Sequence, residues 1–113
     1  MESVLGIFDI GKTNKKFFLL NRDYEVVHSE TKVFKEVPDD DGYPSEDLEA
    51  ISRWIKVTFR EAFKLSRFNI EGINFTTYGS AFVNISETGK PVTRRSGSSL
   101  RGCRYGSSCR RRV

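Results

Sequence analysis

The chain has 113 residues, 19 Lys and Arg against 15 Asp and Glu, and a formal net charge of +4. This length accommodates one small domain, and no apolar run approaches the roughly 18–20 residues of a membrane-spanning helix. The first residues, Met1-Glu2-Ser3, lack the basic charge that opens a secretion signal. We therefore expect a cytoplasmic protein without a membrane partner.

The charge is distributed unevenly along the chain. Residues 94–113 contain seven Arg and no acidic residue, so this segment alone carries +7. Residues 1–93 carry a net charge of −3 and all but one of the aromatic residues. Because a segment of Arg, Ser, Gly and Cys cannot bury enough apolar surface to offset the entropy of ordering it, we expect a globular part over 1–93 and a disordered tail over 94–113.

Two interpretations of this tail are open. An arginine-rich segment can bind RNA or another phosphate-bearing partner. Alternatively, the basic residues change from mostly Lys to only Arg at one point, which is typical of a translational frameshift, and we favour this interpretation. Cys103 and Cys109, with the distant His28, fall short of a four-ligand zinc site.

The first third of the chain predicts three strands. Residues 4–10 form an apolar run with β-branched and aromatic side chains, residues 16–20 form a second run, and residues 24–34 form a third. Turn-forming residues occupy 11–14 and 21–23. Strands joined by such short turns are expected to pair as an antiparallel meander.

A helix and two further strands are predicted after a polar loop at 35–44. Ser45 is the expected N-cap, and the helix should end near Ser66. We interpret Trp54 and Phe59 as core residues rather than as a partner-binding stripe. One apolar stripe is expected to face the core, and it comprises Leu48, Ile51, Ile55, Phe59, Ala62 and Phe63. Strands follow at 70–78 and 81–85, then a hairpin-type turn at 87–90, after which Pro91 leads out. The predicted class is α/β, in the order βββαββ.

Residues 6–13 match the phosphate-loop pattern G-x-x-x-x-G-K-[ST]. A phosphate loop needs a strand before its first glycine and a helix that begins at Gly-Lys-Thr. Here only five residues precede Gly6, and an apolar strand follows Thr13. The pattern therefore does not indicate a phosphate loop of that kind.

The same residues are compatible with a different phosphate site, in which a strand ends in Asp and a Gly-x-Thr turn follows. Glycine lets the backbone approach an anion, lysines at 12, 15 and 16 add positive charge, and a carboxylate can hold hydrated Mg²⁺. Residues 9–16 resemble the first phosphate motif of the actin-like ATPase and sugar kinase superfamily, Asp-x-Gly-x-Thr-x-x-Lys/Arg. This resemblance implies ATP and Mg²⁺ as cofactors, with Asp9 holding Mg²⁺ through water and the phosphates bound by Gly11, Lys12, Thr13, Asn14 and Lys16. An ordinary hairpin turn beside an Asp is the alternative.

Residues 70–92 resemble the second conserved block of the FGGY carbohydrate kinases, which runs from a strand through a sugar-facing turn and a second strand to Gly-Lys-Pro. The resemblance implies a ribonuclease H-like fold and a sugar site formed by Thr77, Tyr78, Gly79 and Ser80. Thr77-Tyr78-Gly79 is most similar to the kinases for L-rhamnulose and L-fuculose. Ala81 stands where those kinases usually have Asp, so the resemblance leaves the sugar open.

FGGY kinases resemble two actin-like domains in a chain several times longer, and their general-base Asp lies far downstream. The resemblance therefore implies an incomplete N-terminal domain of an ATP-dependent carbohydrate kinase, without a catalytic residue and inactive alone. The alternatives are a fragment of an actin-like phosphatase or ATPase, and a small nucleic-acid-binding protein that uses its basic tail. Exposed sheet edges and an uncovered apolar helix should make the isolated chain poorly soluble.

Overall fold

The computed structural model describes residues 1–79 and 82–95 and divides the chain into two compact units. The first unit comprises Met1–Phe34 and Leu48–Tyr78. The described parts of the second are Lys35–Asp47 and residues 79 and 82–95. The predictions for Ser80, Ala81, the two cysteines and residues 96–113 of the disordered tail fall outside the described residues. Residues 94 and 95, which were also predicted to be disordered, lie instead in a strand.

Eight strands and one helix follow one another along the described residues. In chain order they are β1 Glu2–Ile10, β2 Lys15–Leu20, β3 Val26–Lys32, β4 Val37–Pro38, β5 Pro44–Ser45, α1 Leu48–Phe63, β6 Phe68–Thr77, β7 Phe82–Ile85 and β8 Pro91–Arg95. The mixed α/β class is confirmed. The short strands β4 and β5 lie where a polar loop was predicted.

The first unit contains a four-stranded sheet in the order β3-β2-β1-β6. β1 pairs antiparallel with β2, and β2 pairs antiparallel with β3, so the predicted meander is confirmed. β6 pairs parallel with β1, with Phe8 opposite Phe75 and Asp9 opposite Thr76. A parallel partner needs a crossover connection, and the segment containing α1 provides it.

The core of the first unit lies on one face of this sheet. Alternation along β1 and β2 brings Val4, Phe8, Phe17 and Leu19 to that face, each at most 2% exposed. Ala62 and Phe68 complete the buried cluster, with Trp54 and Ile55 of α1 packed against it. The predicted core role of Trp54 is therefore correct, because its ring meets the Phe8 ring edge-on at a centroid distance of 5.6 Å.

Two details predicted for the helix are wrong. Ser45 belongs to β5, where it pairs with Val37, and α1 begins at Leu48 and ends at Phe63. Phe59 and Phe63 are 39% and 56% exposed, whereas Thr58 is buried. The inward stripe passes through Ile51, Thr58 and Ala62. Phe59 is rotated by about 100° from Thr58 around the helix axis and so lies outside this stripe.

Phe59 and Phe63 contact each other on the outer surface of α1, with ring centroids 4.7 Å apart. Together with Lys56 and Arg60 they line a shallow depression of about 370 Å³. An exposed aromatic pair of this kind agrees with the expected poor solubility. Within the part of the chain that the structure describes, no helix has the length and hydropathy needed to span a membrane.

The second unit contains two hairpins. In the β4–β5 hairpin the Asp39 Oδ1 atom accepts hydrogen bonds from the backbone N–H groups of Asp41 and Tyr43, each at 2.9 Å. β7 pairs antiparallel with β8 across the predicted turn, in which Gly89 has a φ of 81° that favours glycine. Pro91 does not lead away from this hairpin but begins β8, a position in a strand that proline tolerates.

Candidate functional site

Polar side chains from three neighbouring strands lie at one edge of the four-stranded sheet. Asp9 lies near the end of β1, opposite Lys16 at the start of β2 and Thr76 near the end of β6. Directly opposite residues project to the same face of a sheet, and this is the face away from Phe8 and its aromatic neighbours. The sheet therefore places a carboxylate, an ammonium and a hydroxyl in one row.

The turn between β1 and β2 begins beside this row. The Gly11 N–H donates to the Asn14 carbonyl oxygen at 3.0 Å. A Cβ atom on Gly11 would lie only 2.8 Å from that same backbone oxygen, which is closer than such atoms approach. The turn therefore requires glycine at this position. The side chains of Lys12, Thr13 and Asn14 are exposed, as a ligand-binding turn needs.

Two of the three lysines near the turn are exposed, and the third is not. Lys12 and Lys16 face solvent, whereas Lys15 is 1% exposed. The Lys15 Nζ atom donates to the Lys12 carbonyl oxygen at 2.9 Å. All three lysines were predicted to add positive charge to the turn, and Lys15 reaches it from the buried side. Its alternation with Phe17 and Leu19 was the one sequence signal that indicated an inward side chain.

The Asp9 carboxylate is half-buried, and it makes no hydrogen bond or ion pair with the side chains described for residues 1–79 and 82–92. The described residues also contain no group of three or more His, Cys, Asp or Glu side chains that could hold a metal ion. Asp9 would therefore be a single protein ligand for a cation. Mg²⁺ is often bound in this way, through one carboxylate together with waters and substrate phosphates, so the residues present fit the ion.

The predicted sugar residues are only partly described. Thr77 is the last residue of β6 and pairs with Ile10, so it reaches the same sheet edge as the turn. Tyr78 follows it at the end of the first unit and is half-buried. Gly79 belongs to the second unit, and Ser80 lies outside the described residues. Thr77 thus lies at the edge that carries Asp9, but it is opposite Ile10 and so projects to the other face of the sheet from Asp9.

The fold also tests the phosphate-loop pattern at residues 6–13. Gly6, the first glycine of the phosphate-loop pattern, is buried within β1, where a Cβ atom would lie 3.2 Å from Phe17 and 3.3 Å from Ile73. Thr13 is followed by the strand β2 rather than by a helix. The phosphate-loop interpretation is excluded by this geometry.

Several solved structures share the fold of the chain. A gluconate kinase from Lactobacillus acidophilus matches with a TM-score of 0.68 and 18% identity over 85% of this chain. A xylulose kinase from the same organism matches with a TM-score of 0.66 and 18% identity over 83%. The glycerol kinase of Plasmodium falciparum, solved with ADP, matches with a TM-score of 0.69 and 19% identity over 84%. No protein-family model and no curated protein matches the sequence.

The chain spans about a fifth of the length of these three kinases, with covered shares of 20%, 19% and 20%. The TM-scores establish a common fold for the matched part, although the sequence identities are below 20%. The chain therefore has the fold of one portion of these kinases.

Proposed function

We propose that this chain is the phosphate-binding N-terminal part of an ATP-dependent carbohydrate kinase, which transfers the γ-phosphate of ATP to a sugar hydroxyl. The observation that carries the proposal is the sheet edge, where Asp9 adjoins a glycine-dependent turn that is followed by a strand. This arrangement occurs in a fold shared with three kinases. A cytoplasmic location, where ATP is abundant, belongs to the same proposal.

Each residue of the edge has a distinct task in this proposal. The backbone N–H groups and the Thr13 hydroxyl donate hydrogen bonds to phosphate oxygens, and the exposed Lys16 ammonium balances their charge. Lys12 and Asn14 flank the phosphates from the same turn. Asp9 holds hydrated Mg²⁺, which when bound neutralises charge on the phosphates during transfer.

The sugar is proposed to bind at the end of β6, at Thr77, Tyr78, Gly79 and Ser80. Gluconate, xylulose and glycerol are the molecules named for the three kinases of similar fold. The sequence Thr77-Tyr78-Gly79 adds L-rhamnulose and L-fuculose as substrates to test. We assign no catalytic base to this chain, and we propose that the base lies in further kinase sequence.

The proposal predicts that the DNA after codon 93, translated in another frame, encodes more kinase sequence. We expect the protein assembled from that frame to release ADP from Mg·ATP only when a sugar or polyol is present. The measurement is a coupled ADP assay with gluconate, xylulose, glycerol, L-rhamnulose and L-fuculose. Stop codons within a few residues in every frame would contradict the frameshift interpretation.

The same assay separates the kinase from the other candidates. ADP release at full rate without any sugar would indicate an actin-like ATPase or phosphatase instead. The nucleic-acid interpretation concerns the Arg-rich tail from residue 94 on. It predicts binding that weakens steeply with salt, with a log–log slope of about −0.9 per phosphate neutralised on duplex DNA, and that is lost when the tail is deleted.

A further inference from the structure

Lys15 is a buried ammonium group in the interior of the first unit. Its side chain is 1% exposed and projects to the same face of β2 as Phe17 and Leu19, both 0% exposed. Lysine is almost never fully buried unless it is paired, because removing a charge from water is costly without hydrogen bonds in exchange. Because its burial is costly, we expect the ammonium to orient a neighbouring group by a hydrogen bond, which an apolar side chain could not do.

One of the contacts that the Lys15 ammonium makes is to the turn at the site. The Lys15 Nζ atom donates to the carbonyl oxygen of Lys12 at 2.9 Å. In a planar trans peptide the carbonyl and the following N–H point in opposite directions. The ammonium therefore orients the whole Lys12–Thr13 peptide, and it aims the Thr13 N–H away from the interior.

The second bond of the turn fixes its ends. Gly11 N–H donates to Asn14 O at 3.0 Å, so this bond closes the turn while Lys15 fixes the peptide in its middle. Among residues 1–79 and 82–92, whose side chains the structure describes, no hydrogen bond occupies the Thr13 N–H or its hydroxyl. Both donors are thus available on the exposed side of the turn, where Lys16 is also exposed.

We propose that Lys15 is a positioning residue for the phosphate-binding turn: it holds the Lys12–Thr13 peptide so that the Thr13 N–H faces the phosphate. Lys15 does not contact the ligand itself, whereas Lys16 contacts it directly. The role toward phosphate rests on the proposed function. The bracing of the peptide does not, because it follows from the hydrogen bond and the burial alone.

Cleavage by trypsin after Lys12 tests this bracing, because the scissile carbonyl is the acceptor that Lys15 holds. The 113-residue chain is digested at micromolar concentration, and the initial rate of cleavage between Lys12 and Thr13 is followed by mass spectrometry. We expect K15M to be cleaved there about tenfold faster, because one hydrogen bond to a charged group changes an equilibrium constant by about that factor. K15R, which keeps a donor, and K16M, which removes the neighbouring ammonium, should stay near the wild-type rate. Cleavage after the exposed Lys64 reports general unfolding.

The outcomes are distinguishable. Equal rates at Lys12 in K15M and the wild type would overturn the bracing, and so would an equal rise in K16M. If K15M is cleaved faster after Lys64 by the same factor, that variant is generally unfolded and K15R provides the test. Slow cleavage of K15R after Lys12 supports the proposal, and fast cleavage of K15R after Lys12 but not after Lys64 overturns it. Millimolar Mg·ATP should slow cleavage at Lys12 in the wild type. If it has no effect while K15M is still cleaved faster, the proposed function fails at this site and the bracing stands.

Discussion

Replacing Phe8 with Ala is expected to lower the free energy of unfolding by about 3–5 kcal/mol, the range for a buried Phe in a packed core. Phe8 is 0% exposed and contacts three other aromatic rings. Its ring centroid lies 4.7 Å from that of Phe17, 5.1 Å from that of Phe75 and 5.6 Å from that of Trp54. The substitution removes all three contacts and leaves a cavity between β1, β2 and α1.

The measurement is urea unfolding at low micromolar concentration, followed by the fluorescence of Trp54, the one tryptophan of the chain. A loss of 3–5 kcal/mol is a large part of the stability of a small domain, which is about 5–15 kcal/mol, so F8A should unfold at a much lower urea concentration than the wild type. F63A is the matched control, because Phe63 is 56% exposed and should lose less than about 1 kcal/mol. A smaller loss in F8A than in F63A would show that the core lies elsewhere.

Replacing Asp9 with Asn in the protein assembled from the longer frame is expected to lower sugar-dependent ADP release by about a hundredfold or more, as for loss of one electrostatic contact to transferring charge. Asn keeps the size of the side chain and removes the charge that would hold Mg²⁺. Because the Asp9 carboxylate makes no hydrogen bond or ion pair with the described side chains, the loss should appear in turnover and not in stability.

Asp23 offers the matched control for this substitution. It is an exposed Asp in the turn between β2 and β3, so D23N should leave turnover within about twofold of the wild type. The assay is run across Mg²⁺ concentrations, and D9N should require more Mg²⁺ for half-maximal rate. Wild-type turnover in D9N at every Mg²⁺ concentration would remove Asp9 from the site.

The strands of the meander were predictable because their pattern is local. Apolar runs with β-branched and aromatic residues marked β1 and β2, and the turn between them is short. The pairing of β6 with β1 joins residues more than 60 positions apart, such as Val4 and Ile70. Periodicity contains no information on such a partner, and only the resemblance to a known fold implied it.

The helix shows why a stripe predicted from hydrophobicity can be misplaced. Phe59 is more apolar than Thr58, so the pattern favoured Phe59 as the inward residue. The structure buries Thr58 and exposes Phe59, because the phase of α1 is fixed by Ile51 and Ala62. The Ser45 N-cap failed for a different reason. A two-residue strand such as β5 has no periodicity that a sequence could reveal.

The candidate site also combines features that were predicted from the sequence with one that was not. The position of Asp9 near the end of a strand, and of Gly11 and Thr13 in the turn after it, was predictable because an apolar run and turn-forming residues mark them. The burial of Lys15 was missed, because a lysine near two other lysines is expected to face solvent, although its alternation with Phe17 and Leu19 indicates an inward side chain. Its inward direction depends on the register of β2, in which Lys15 lies opposite Ile10.

The most direct test of the central claim is whether the turn between β1 and β2 binds the phosphates of Mg·ATP. The measurement is the ³¹P line width of millimolar Mg·ATP and of Mg·tripolyphosphate with the 113-residue chain, comparing the wild type with G11A and G72A. Ala at 11 would place Cβ 2.8 Å from the Asn14 oxygen, whereas Ala at 72 would meet only the Leu5 side chain at 3.4 Å. We predict broadening of both ligands by the wild type and by G72A, and none by G11A. Equal broadening in G11A, or none in the wild type, would contradict the assignment of a phosphate site to this turn.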